Sequence, residues 1–221
     1  MQYKIYPSTK TIPLGKNSLI TARQDGDSFL QTLLSRKSTL AFTPENIHLS
    51  DLSQLLTLSC GLRNDNADSQ FRTYASAGAR YPIEVYVVIL RSDDIERGIY
   101  HYNVRDNTLE LIRTGDYSEK MNSFYKNQIN KIITSDFPCL LLFSMVFERS
   151  MQKYGERGYR FALLDAGHMS QNLYLVATYL GLGIVGLGAG ADSDDRLDDI
   201  LGLIHNEENA FYGFAVGNPL I

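Results

Sequence analysis

The sequence predicts an α+β fold. Three observations carry that expectation. The runs Ile83–Leu90 and Cys139–Phe147 are almost wholly apolar, as strands buried on both faces are. Ile99–Val104 and Thr108–Arg113 flank Arg105-Asp106-Asn107, which is a hairpin signal. The best helical stretch, Arg160–Tyr179, comes late, and strands and helices do not alternate regularly.

Taken in order, residues 1–26 carry Pro7, Pro13, Gly15 and Gly26 with little periodicity. They read as an irregular arm, leaving 27–221 as one domain. Asp27 is placed to cap a short helix with Phe29, Leu30, Leu33 and Leu34 on one face. Ser50 is placed to cap a second, with Leu52, Leu55, Leu56 and Leu58 apolar and Gly61 as its stop. Residues 63–70 are polar and read as a loop. Tyr117–Thr134 has apolar residues near helical spacing. In Arg160–Tyr179 both faces carry apolar or small residues, which predicts a central, largely buried helix ending at Gly181-Leu182-Gly183. Ser193 is placed to cap a short helix through Leu201, and Phe211–Val216 reads as the last strand.

Apolar residues make up 44% of the 221 positions and charged residues 21%, the balance of an ordinary globular chain. No apolar run approaches the roughly 20 residues of a membrane helix, and the N-terminus does not read as a signal peptide. With 21 basic and 25 acidic residues the net charge of -4 argues against a nucleic-acid partner. Cys60 and Cys139 lie in apolar stretches and read as buried thiols, not a disulfide framework. A cytoplasmic protein is expected.

Several segments carry candidate chemistry. In Arg72–Pro82 the small residues at 75–79 let a flat ligand approach the backbone, and Ser76 and the arginines add donors. The same residues also suit a tight turn before a strand. Arg36-Lys37-Ser38 reads either as a small anion site or as a basic run complementing a helix C-terminus. Gly186-Leu187-Gly188-Ala189-Gly190 lies too late for a dinucleotide fingerprint, but it can expose backbone N–H groups to a cofactor. Lys153-Tyr154 pairs a phenol with a cation that would lower its pKa, a candidate proton-transfer pair. Neighbours do not share a face in regular structure, so only a loop, which Gly155 permits, would aim both at one site. Otherwise they are a surface lysine beside a packing tyrosine. His168 reads as a hydrogen-bonded core residue. His48, His101 and His205 are scattered without metal-ligand spacing, so no metal site is expected.

Together these segments resemble the nitroreductase superfamily, and within it the SagB-type dehydrogenases that act on ribosomal peptides. Arg36–Phe42 resembles the early Arg-Arg-Ser segment. Arg72–Pro82, continuing into Glu84-Val85-Tyr86, is similar to the Pro-Ser-Ala-Gly loop and its following strand. Gly98-Ile99-Tyr100-His101-Tyr102 resembles the Gly-Leu-Tyr-His-Tyr hairpin of the SagB branch. Lys153–Phe161, running through Gly167-His168 and Gln171-Asn172-Leu173, resembles that branch's most characteristic stretch. Leu40 stands where an arginine is common, and Ala75 replaces the usual proline. The basic pair many nitroreductases carry near the C-terminus is missing, which implies either weaker FMN retention or compensation by Arg72 and Arg157 or Arg160.

The resemblance implies an FMN-binding fold with a central, mostly antiparallel sheet packed by helices, and an FMN-dependent oxidase of azolines. A cyclodehydratase first forms thiazoline or oxazoline rings in a precursor peptide. The oxidase then removes two hydrogens, one as a proton and one as a hydride to the flavin, with oxygen as reoxidant. It implies FMN on Arg36, Lys37, Ser38, Arg72, Ser76, Ala77, Gly78, Arg157, Arg160, Gln171, Asn172, Leu187, Gly188 and Ala189, and proton transfer by Lys153 and Tyr154. It further implies a homodimer with the flavin between subunits, and a precursor peptide and a cyclodehydratase complex as partners. Two other readings stay open: a flavin-binding scaffold of a peptide-modifying complex, and a general NAD(P)H-dependent nitro or quinone reductase.

Overall fold

The computed structural model describes residues 28–63, 70–132, 137–188 and 194–220. The expected arm, the Asp27 cap, the Ser193 cap and Ala189 lie outside the described residues. The chain divides into two units, 1–35 and 36–221. In the first, Ser28–Ser35 forms helix α1.

In the second, the strands are β1 (Ile83–Ile89), β2 (Gly98–Asn103), β3 (Thr108–Thr114), β4 (Cys139–Val146), β5 (Gly183–Gly188) and β6 (Glu208–Gly217); β1 and β4 are runs of buried residues, whereas β3 is largely exposed. They form one sheet in the order β3-β2-β1-β4-β6-β5, every neighbouring pair antiparallel. Successive residues of a strand point to opposite faces. Val85, Val87, Leu141 and Phe143 therefore pack on one side, under α2 (Leu49–Cys60) and α5 (Arg157–Leu180). Val88, Leu140 and Leu142 pack on the other, against α3 (Ser118–Ile132) and α6 (Asp194–Leu201). Between β4 and α5 lies α4 (Phe147–Tyr154). Among the described residues no helix is long and apolar enough to cross a membrane.

The structure departs from the sequence reading at several places. Helix α2 begins at Leu49, so Ser50 lies inside it. The orphan N–H of Leu49 is satisfied instead by Asp94 Oδ2 at 3.2 Å. Leu58 is exposed rather than buried with Leu52, Leu55 and Leu56. The sequence reading had no β5, because three of its six residues are glycine. Those glycines answer to neighbours. A Cβ at Gly183 would lie 2.7 Å from Thr39 Cγ2, and one at Gly186 would collide with the Tyr212 hydroxyl. Helix α5 is buried along one stripe only. Ala162, Ala166, Met169, Leu173 and Ala177 face the sheet, while Leu164 and Tyr179 are 59% and 66% exposed. Cys60 and Cys139 are free and buried, and burial pushes the Cys60 thiol up to about 12, where it stays protonated and unreactive.

Candidate active site

Helix α5 holds the 72–82 loop with a stripe of side chains. Asp165, His168 and Asn172 fall at i, i+3 and i+7, so they share one flank of the helix. Asp165 accepts from Ser76 Oγ at 2.6 Å and from the Ala77 N–H at 3.1 Å. His168 Nδ1 donates to the Ala75 carbonyl at 2.9 Å. The Asn172 amide donates to the carbonyls of Thr73 and Ser59. His168 is thus an exposed loop-holding residue and not a core one. Burial raises the Asp165 pKa, opposed by the two hydrogen bonds it accepts and by the His168 charge.

So held, the loop takes a backbone that L-residues avoid. Gly78, Ala79 and Tyr81 have φ of 63°, 53° and 47°. Such residues persist only where surrounding contacts over-determine them. Ser76 Oγ accepts the Tyr81 N–H at 2.9 Å, closing the loop. Arg72 is turned inward. Its guanidinium donates to the Ile83 carbonyl and lies 5.0 Å over the Tyr81 ring. The loop walls a cleft of about 520 Å³ that also includes Phe71 and Arg63, a volume suited to a small ligand.

Lys153 and Tyr154 meet at this loop. They are not in a loop themselves, as the sequence reading required, but are the last two residues of α4. The lysine stem bends across its neighbour, with Nζ 5.3 Å from the Tyr154 ring centroid, so the pair converges although the backbone positions diverge. A Cβ at Gly78 would lie 2.5 Å from the Tyr154 hydroxyl and 2.7 Å from Lys153 Nζ. Glycine at 78 is thus required twice, by its φ and by this approach. Tyr154 stacks edge-on against Phe161 at 4.8 Å, and Arg157 lies 5.8 Å from the Phe161 ring.

The expected phosphate residues gather elsewhere. The Arg36 guanidinium lies 5.3 Å over the Tyr174 ring, and Lys37 and Ser38 are exposed. The Thr39 N–H donates to the Ile184 carbonyl, pinning this segment along β5, and the Gly186 N–H donates to the Tyr174 hydroxyl. On β5, Leu187 is buried and Gly188 exposed; Arg160 and Gln171 are exposed on α5. Asp165 and Tyr174 are nine residues apart, about 900° around the helix and about 13 Å along it. The loop cluster and the Arg36 cluster therefore sit on opposite flanks of α5.

Beside the loop, the sequence reading missed a charged network. Glu84 meets Arg149 Nη1 and, at 2.9 Å, His101 Nε2, while His101 Nδ1 meets Glu110 at 3.0 Å. Burial disfavours the Glu84 carboxylate, but the hydrogen bond from His101 and the charge and hydrogen bond of Arg149 outweigh it and hold its pKa low. The hydrogen bond to Glu84 raises the His101 pKa, with burial opposing and Glu110 adding. A raised pKa favours the charged imidazole in the fold. Its contribution is full below about pH 6.5 and is lost as pH rises through the raised value. Urea unfolding should therefore separate wild type from His101→Gln most in acid, with the gap narrowing toward alkaline pH. A gap that widens with pH would contradict this network. At the α6–β6 turn, ligand atoms of Asp195, Asp198 and His205 also lie within 4.8 Å of one another, but Asp198 is already taken by Asn209 and the Ala210 N–H.

This arrangement has relatives. Residues 33–218 match the Nitroreductase family. MJ1384 of Methanocaldococcus jannaschii, named for that family, is 32% identical over 164 residues, 74% of this chain and 80% of that one. The microcin B17-processing protein McbC of Escherichia coli is 35% identical over 116 residues, 50% of this chain but only 42% of that protein. In the E. coli microcin synthetase McbBCD complex with truncated pro-MccB17 bound, one chain shares the fold, with TM-score 0.80 and 22% identity over 100% of this chain and 79% of that one. The match covers nearly all of the described unit: the chain belongs to the nitroreductase family.

Proposed function

We propose that this protein oxidises thiazoline or oxazoline rings of a ribosomally made precursor peptide to thiazole or oxazole, using FMN, as a homodimer working with a cyclodehydratase. The observation that carries the proposal is the convergence of Lys153 Nζ and Tyr154 on Gly78. Aromatising an azoline must remove a proton from ring carbon, which calls for a positioned base. Reduction of a nitro group or quinone needs no such abstractor here. The substrate class is supported by McbC, whose name records processing of microcin B17.

The residues suit FMN. Arg36, Lys37 and Ser38 offer two cations and a hydroxyl for a phosphate. The exposed Gly78 leaves backbone open to a flat ring. FMN, when bound there, supplies the acceptor for the electron pair. The chain's part is to hold the ring against Gly78, to take the proton on the Tyr154 oxygen, and to face that oxygen with the Lys153 ammonium. Ser76, Arg72 and Asn172 serve this indirectly, since their polar groups are engaged in holding the loop.

The two flanks of α5 support the homodimer. With the Arg36 cluster on one flank and the Gly78 loop on the other, one flavin would take one cluster from each of two copies, and the exposed Leu164 and Tyr179 offer a helix face for that contact. Light scattering that finds a monomer still holding FMN would count against it. Arg36→Ala should weaken FMN by about 1.5–3 kcal/mol, roughly 10- to 150-fold, in a flavin fluorescence titration. Unchanged affinity would place the phosphate elsewhere.

Mass spectrometry of an azoline peptide incubated with the FMN-loaded protein tests the activity itself. Loss of about two mass units per ring is expected, two hydrogens removed by the flavin chemistry. No loss, with NAD(P)H-dependent turnover of nitro compounds or quinones, would assign a general reductase. Tight FMN binding with neither activity would assign a scaffold.

A further inference from the structure

Two segments that resemble family motifs have no part in the site above: Glu84, in the strand after the loop, and His101, in the Gly-Ile-Tyr-His-Tyr hairpin. The fold brings them together on Arg149. Arg149 lies on α4 one turn before Lys153. Its Nη1 donates to the Tyr81 carbonyl at 3.0 Å and pairs with Glu84. Tyr81 is the last strained residue of the loop, and Glu84 is the second residue of β1. One nitrogen thus ties the helix carrying Lys153 and Tyr154 to the loop carrying Gly78 and to the sheet. Glu84 is only 11% exposed, and His101 buttresses its second oxygen, so the anchor itself is fixed.

We propose that Arg149 and Glu84 are positioning residues for the proton-transfer pair: they hold the end of α4 so that Lys153 and Tyr154 meet over Gly78. Arg149 touches neither substrate nor flavin in this role and acts only through α4. The proposal rests on the assignment of Tyr154 as base for its kinetic arm, but not for its structural one.

The structural arm uses FMN-loaded protein labelled with ¹³C-tyrosine. The Tyr154 ring signals, identified by their loss in Tyr154→Phe, should shift or broaden in Arg149→Met. Those of Tyr125, buried on the other face of the sheet, should stay in place. Unmoved Tyr154 signals in a folded variant would overturn the proposal. In the kinetic arm, Arg149→Met should cut azoline oxidation by about 10- to 100-fold through kcat, the scale of a misplaced group, with KM and FMN occupancy nearly unchanged. Arg149→Lys, which keeps a cation at this point, should recover part of that rate, and it serves as the test variant if the methionine protein does not fold. In a Tyr154→Phe background Arg149→Met should cost nothing more, because its effect runs through that residue. An equal loss in both backgrounds, or a wild-type rate in Arg149→Met, would overturn the proposal. A Tyr154→Phe protein that is itself fully active would sink the base assignment alone, and the ring signals would still decide the positioning role.

Discussion

Tyr154→Phe should reduce azole formation by roughly 100-fold or more while leaving FMN bound, the usual scale for removing a general base. The phenyl ring keeps its edge-on contact with Phe161 at 4.8 Å, so packing is preserved and only the proton acceptor is lost. Lys153→Ala should give a similar loss, because the ammonium that shares the Gly78 contact goes with it. Peptide mass spectrometry gives the rate and the flavin spectrum the occupancy. A phenylalanine variant working at the wild-type rate places the base elsewhere, and one that loses FMN makes Tyr154 a residue of the cofactor pocket.

Gly78→Ala should be nearly as damaging, for a different reason. An L-residue at φ 63° costs about 1–2 kcal/mol. The new methyl would also sit 2.5 Å from the Tyr154 hydroxyl and 2.7 Å from Lys153 Nζ. The loop is tied to Asp165 through the Ser76 hydroxyl and the Ala77 N–H, so the two side-chain tips must move instead. Displacing catalytic groups by about 1 Å can cost on the order of 100-fold in rate. Gly181→Ala separates the two effects. Gly181 has φ 75° at the end of α5, with nothing within 4 Å of an added Cβ. It should lose similar stability in urea titration and keep its rate. Equal activity losses in both variants would mean that strain alone, and not the collision with the pair, explains the Gly78 result.

The same collision shows how the site could be recognised in part before the fold was known. Small residues at 75–79 announced a close approach to the backbone, and the structure has Lys153 and Tyr154 making that approach within the chain. Asp165 carried a signal too. It stands three and seven residues before His168 and Asn172, the spacing of one helix flank. Nothing along the chain, however, tells a carboxylate that holds a loop from one that faces solvent. The Glu84–Arg149 pair had no local signal at all, since its partners are 65 residues apart.

The sequence by itself determined the class of fold and most of its elements. Short, almost wholly apolar runs favour strands buried on both faces, as β1 and β4 are, and 3.6-residue periodicity made α2, α3 and α5 legible. It also picked out Arg36-Lys37-Ser38, the 75–79 loop and Lys153-Tyr154 as places where chemistry could reside. Only the tertiary structure decided what these segments do together. Strand β5 forms by pairing with β6 although its glycines have weak strand preference of their own, and Thr39 and two tyrosines crowd Gly183 and Gly186 where a Cβ would stand. The lysine and tyrosine meet because a long flexible stem crosses a helix end that local rules forbid from presenting both residues. The Arg36 cluster and the Gly78 loop were separated by the roughly two and a half turns between Asp165 and Tyr174 on one rigid helix. Periodicity constrains neighbours within a few residues, whereas a site is assembled from groups whose separation along the chain carries no information about their separation in space.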